Sequence, residues 1–156
     1  MPSILAREHP SGTSFGCRWR TPLGPIASGA PGRAALGRAG EEAALAHLVT
    51  VHGLDLVARN RRVAVDGLRG ELDLVLRDPR SGAVVVCEVK VRRAAGHLGG
   101  AVAALGPRQS ARIRRLAGAL LATSDLRATA VRLDLVAVDV PPGAAPAALV
   151  HLHAAW

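Results

Sequence analysis

The chain has 156 residues, 49% hydrophobic but only 2% aromatic, and a formal net charge of +8. That length suits one domain with a core of Val, Leu and Ala, and the charge points to polyanionic partners, nucleic acid before anionic membrane. Two cysteines, Cys17 and Cys87, exclude a disulfide framework and lack the spacing for zinc or redox chemistry; no apolar run is long enough for a transmembrane helix, and the N-terminus lacks the apolar centre of a secretory signal, so the expectation is a cytoplasmic protein without a membrane partner.

Residues 1–34 are rich in Gly, Pro, Ser and Arg without sustained periodicity, which predicts a disordered basic tail ahead of a domain over 35–156. In LGRAGEEAALAHLVTVHG, Leu45, Leu48, Val49 and His52 share one helical face and Gly53 supplies the stop. Glu41 projects from the inward stripe, whereas Glu42 lies further round toward solvent. LDLVARN (54–60) predicts a strand. RGELDLVLRD (69–78) alternates, with Leu72, Leu74 and Leu76 on one face and Glu71, Asp73 and Val75 on the other. DPRSG is a turn, and AVVVCEVKV (83–91) reads as a strand buried on both faces, with Cys87 as a small core residue.

Pro107 opens a second helix to about Ala122, with Ile113, Leu116, Ala117, Leu120 and Leu121 inward. VRLDLVAVDV (131–140) alternates as a further strand, and ALVHLH (147–152) predicts a short edge strand. The order of elements gives an α/β domain with a mixed central β-sheet of four to five strands flanked by α-helices.

The short turn makes strands 69–78 and 83–91 antiparallel. With Val75 opposite Val86, Asp73 falls opposite Glu88 and Glu71 opposite Lys90, all on one face with Cβ atoms roughly 5 Å apart. A slip of one residue would separate the two carboxylates. Carboxylates this close repel, and burial sharpens the repulsion. Lys90 compensates for one charge. A divalent cation on Asp73 and Glu88 would compensate for the rest, and oxygen ligands suit Mg²⁺ or Mn²⁺ better than zinc. The plainer alternative pairs Glu71 with Lys90 and leaves Asp73 and Glu88 as solvated strand ends.

Lys90 is also the only lysine among 20 Lys and Arg residues. Arg replaces Lys readily on a solvated surface but not where a compact ammonium is needed, and a random survivor would land here about one time in twenty.

GRAGEEAALAHL, then Arg59, Asn60 and Arg62, GELDLVLRD, VVCEVKVRR, VRLDLVAVD and a terminal HAAW together resemble the YraN-type family of bacterial proteins, over residues 36–156. The resemblance implies the restriction-endonuclease-like fold of the PD-(D/E)xK nuclease superfamily. It implies that Glu41, Asp73, Glu88 and Lys90 form a nuclease-like catalytic site, with the three carboxylates holding one or two Mg²⁺ ions. Lys90 would then position the attacking water and stabilise charge at the phosphate. The implied substrate is DNA, including branched or damaged structures, with a nucleic-acid-binding module that does not cut as the alternative; a homodimer stays open. Leu72-Asp73 stands where the superfamily has Pro-Asp, and Arg108-Gln109 where relatives tend to have Lys.

Arg108, Arg112 and Arg115 form a helical stripe that, with Arg92 and Arg93, can track a phosphate backbone. A solvated helix face is the equal alternative for the helix arginines. The six histidines show no zinc spacing and read as ordinary, and Arg132 with Asp134 reads as structural.

Overall fold

The computed structural model describes residues 7–8, 18–23, 32–93, 106–140 and 147–155. In chain order the elements are β1 (Arg7–Glu8), β2 (Arg18–Pro22), α1 (Arg33–Thr50), β3 (Asp55–Val65), β4 (Leu68–Arg77), β5 (Val84–Arg93), α2 (Pro107–Thr123), β6 (Val131–Val140) and β7 (Ala148–Leu152). The strands form one mixed sheet in the order β1-β2-β7-β6-β5-β4-β3. β5 and β6 are parallel, and the other neighbours are antiparallel.

The predicted α/β architecture is therefore present, with β3–β7 as its five strands. The segment expected as a tail contributes two more: β2 runs along β7, and the Leu23 N–H donates to the Ala147 carbonyl at 2.9 Å. This moves 147–152 from the predicted edge to an interior position. Its backbone bonds both β6 and β2.

One helix covers each face. Ala44 and Leu48 of α1 pack with Leu74, Leu76, Val85, Cys87, Val89, Val136, Val138 and Leu149. Ile113, Leu116, Ala117 and Leu120 of α2 pack with Leu72, Val75, Val84, Val86 and Leu133. Cys87 is fully buried, and desolvation pushes its thiol well above the ordinary range, which makes it an inert core residue.

Two glycines set how closely the helices approach. A Cβ on Gly40 of α1 would stand 2.2 Å from Val91 Cγ2, and one on Gly70 of β4 would stand 2.6 Å from Leu116 Cδ1 of α2. Valine is stiff at χ1 and cannot yield to a substituent on Gly40. Gly40→Val is expected to destabilise the protein by about 1–3 kcal/mol, read as a lower urea midpoint, because it forces α1 away from β5.

β3 is longer than predicted. It reaches Val65 and turns through Asp66 and Gly67, both at positive φ (46° and 80°), into β4. A two-residue Asp-Gly turn of this hand matches the twist of the paired strands, and the dipeptide is itself a hairpin signal.

Candidate active site

β4 changes face at Asp73. Leu74 and Leu76 point toward α1, as alternation requires, but Leu72 lies with Val75 under α2. The prediction that Leu72, Leu74 and Leu76 share a face thus fails at its first residue. The change of face coincides with a gap in the ladder. The β3–β4 pairing passes from Arg59↔Leu74 to Arg61↔Leu72 over Asn60 and Asp73, and Asn60 sits at φ 47°.

On the other side, β4 and β5 follow the predicted register, with Val75 opposite Val86, but their pairing ends at Leu74↔Cys87. Beyond that point the Asp73 carboxylate replaces a backbone acceptor: its Oδ2 accepts the Val89 N–H at 2.8 Å. Asp73 is thus held where two strands part, by one hydrogen bond to β5.

Glu88 and Lys90 follow on alternate positions of β5 and share one face. Lys90 Nζ donates to Glu88 Oε1, and the Glu88 side chain is only 7% exposed. The same oxygen accepts Gln109 Nε2 of α2 at 3.2 Å. Gln109 comes from the first turn after Pro107, and its place in this cluster was not legible from the sequence.

Burial and the neighbouring Glu88 charge raise the Asp73 pKa from 3.8 to about 6; Glu41 adds to the rise, while the Val89 N–H and Lys90 oppose it. Glu41 therefore reaches Asp73 electrostatically from α1, and it is half-buried. Glu42 turns outward and meets Arg59 at 2.6 Å. The alternative pairing of Glu71 with Lys90 does not form. Glu71 faces Arg62 of β3 at 3.5 Å.

Among the arginines, Arg92 shares the β5 face of Glu88 and Lys90 and stands beside Asp139 of β6 in register, whereas Arg93 points to the other face. Both are exposed, as are Arg108, Arg112 and Arg115. Arg112 Nη2 donates to the Arg69 carbonyl at 3.1 Å, so part of its guanidinium is committed to holding α2 on β4.

The model of the uncharacterised protein family UPF0102 matches residues 40–138, a span that contains Glu41, Asp73, Glu88, Lys90 and Gln109. The chain belongs to the UPF0102 family. This is the YraN-type family that the sequence motifs resemble. The chain is 40% identical over 134 residues to a UPF0102 protein of Mycobacterium sp. (strain JLS), covering 86% of this chain and 93% of that one. It is 42% identical over 120 residues to a UPF0102 protein of Mycolicibacterium smegmatis, covering 77% and 91%. With a UPF0102 protein of Frankia alni the identity is 43% over 122 residues, covering 78% and 94%.

A second polar cluster departs from the reading of the histidines as ordinary. His47, His52, His151 and His153 come together beside Asp134. Arg132 holds the Asp134 carboxylate in a fork of two hydrogen bonds, both at 2.9 Å. The pKa of Asp134 falls to about 2, because the hydrogen bonds from His151 and Arg132 outweigh its burial. Burial, followed by the repulsion of His151, lowers His47 to about 4, His52 to about 3 and His153 to about 4. Among the described residues, no helix is long and apolar enough to cross a membrane.

Proposed function

We propose that this chain is a metal-dependent nuclease that hydrolyses phosphodiester bonds in DNA, with branched or damaged structures among its substrates. One observation carries this reading. Asp73, Glu88 and Lys90 meet where β4 and β5 part, and burial, with the neighbouring Glu88 charge, holds the Asp73 carboxylate well above its ordinary range. Such a cluster is short of positive charge.

The donor set fits a hard divalent cation. Asp73 and Glu88, with Glu41 as a third carboxylate, would hold Mg²⁺ or Mn²⁺ through hard oxygen donors. When bound, the cation lowers the pKa of its water and neutralises charge on the phosphate. Glu88 and Gln109 fix the geometry from two elements, and Glu88 orients the Lys90 ammonium. Lys90 supplies a compact positive charge where negative charge builds during phosphodiester cleavage. Arg92 and Arg93 at the end of β5, with Arg108, Arg112 and Arg115, supply the basic surface for the DNA backbone. The mixed sheet with a helix on each face is consistent with the restriction-endonuclease-like fold.

A panel of duplex, flap and junction DNA incubated with Mg²⁺ tests this reading. Wild type is expected to cut at least one substrate, with cleavage abolished by EDTA and by Glu88→Gln. Equal cleavage by wild type and Glu88→Gln would overturn it. A second reading, a nucleic-acid-binding module that does not cut, is favoured by Glu88 Oε1 already being taken by both Lys90 and Gln109. It predicts salt-sensitive binding with no cleavage of any substrate.

A further inference from the structure

The histidine cluster lies on the α1 face of the sheet, opposite the face that carries Glu88 and Lys90. His47 is six residues beyond Glu41, about 9 Å along the α1 axis. We propose that His47, His52 and His151 form a binding site for a borderline divalent transition metal such as zinc, with Asp134 as the carboxylate behind His151. The site is independent of the nuclease reading.

The geometry of the ring nitrogens carries this. His52 Nε2 stands 3.1 Å from His47 Nε2 and 3.1 Å from His151 Nδ1. A ring nitrogen carries either one hydrogen or one lone pair, so His52 Nε2 makes at most one of these contacts as a proper hydrogen bond. Hydrogen bonding therefore leaves one of the two contacts unsatisfied in every tautomer. A metal satisfies both. Nitrogens bound at 2.0–2.1 Å to a tetrahedral zinc stand about 3.3 Å apart, close to the spacing found here. The three ligand atoms all lie within 4.8 Å of one another.

The surroundings match a metal site in a further respect. His151 Nε2 lies 2.9 Å from Asp134 Oδ2, which can only accept, so the proton sits on Nε2. In the neutral ring this leaves the Nδ1 lone pair directed at His52. The carboxylate–histidine–metal relay of this kind fixes the tautomer and strengthens the ligand. Arg132 and the Ala154 N–H (3.1 Å to Asp134 Oδ1) hold the carboxylate in turn.

Imidazole ligands select zinc, copper, nickel or cobalt and disfavour Mg²⁺, so this site and the carboxylate site would not compete for one ion. His47 and His151 are buried, while His52 is partly exposed and gives the ion its way in. The bound metal would clamp the end of α1 to β7, joining residues 99 positions apart.

Titration of the full chain with Co²⁺, followed by visible absorption, tests the assignment. Wild type is expected to develop the d–d bands of four-coordinate cobalt with one equivalent, and Zn²⁺ to bleach them. Asp73→Asn should keep the bands. His52→Asn changes a partly exposed ring, so it is expected to unfold at the wild-type temperature in EDTA yet bind at least tenfold more weakly. His151→Gln should lose the bands as well. If that buried variant does not fold, His52→Asn decides the matter. Absence of the bands in wild type, equal affinity in His52→Asn, or their loss in Asp73→Asn would overturn the proposal.

Discussion

Asp73→Asn is expected to stabilise the metal-free protein at pH 8. The substitution keeps an oxygen that can accept the Val89 N–H, the hydrogen bond that ties Asp73 to β5. It removes the charge that burial and Glu88 disfavour. The folded-state pKa of about 6 lies above the ordinary 3.8, so between these values the folded state retains a proton that the unfolded state releases. Stability from this group is therefore present below about pH 4 and declines as pH rises through 6. At one pKa unit per 1.36 kcal/mol, the penalty above pH 6 is on the order of 2–3 kcal/mol. Thermal unfolding of both proteins in EDTA at pH 8 and pH 4 checks this. The variant should melt several degrees higher at pH 8, and the difference should shrink toward zero at pH 4. Comparing the two proteins at each pH cancels the opposing contribution of the histidines. A destabilised variant at pH 8 would show that the Asp73 charge is already compensated.

Lys90→Arg is expected to lower DNA cleavage by about 10²-fold or more without unfolding the protein. Charge is conserved, so Glu88 keeps a cationic neighbour and avoids the cost of a buried, unpaired carboxylate. What changes is shape. The ammonium is a point donor that bonds Glu88 Oε1, whereas a guanidinium is planar, wider and almost impossible to deprotonate. This chain uses arginine for every other long cation, so arginine at position 90 tests whether the lone lysine is there for its geometry. Single-turnover cleavage rates with Mg²⁺, alongside thermal unfolding, separate the two effects. Cleavage within about tenfold of wild type would remove Lys90 from the chemistry.

Alternation made β4 and β6 legible, a continuous apolar run did so for β5, and the DPRSG turn set the register of β4 on β5. Asp78 supports that turn by accepting the Arg80 N–H and the Ser81 hydroxyl, both at 2.9 Å. The same pattern misled at Leu72, because periodicity assumes a regular strand and β4 departs from one at Asp73. β2 escaped because Arg18–Pro22 has no apolar alternation; its pairing with β7 is a backbone interaction that composition does not reveal. The resemblance marked Arg108-Gln109 as the place where relatives tend to have Lys, but an amide in a first helical turn has no intrinsic signal, and only packing of α2 brings Gln109 to Glu88. The histidines escaped for a topological reason. His47 and His52 flank the end of α1, while His151 and His153 sit at the end of the chain. The i, i+2 spacing of His151 and His153 at the end of β7 was the available clue.

Asp73 and Glu88, with Glu41, are proposed to hold a divalent cation. Titration of Mn²⁺ into the full chain at pH 8, followed by the electron paramagnetic resonance of the free ion, tests it most directly. A Mn²⁺ site is expected in wild type, lost in Asp73→Asn and in Glu88→Gln and kept in His52→Asn. Equal Mn²⁺ binding by wild type, Asp73→Asn and Glu88→Gln would contradict it.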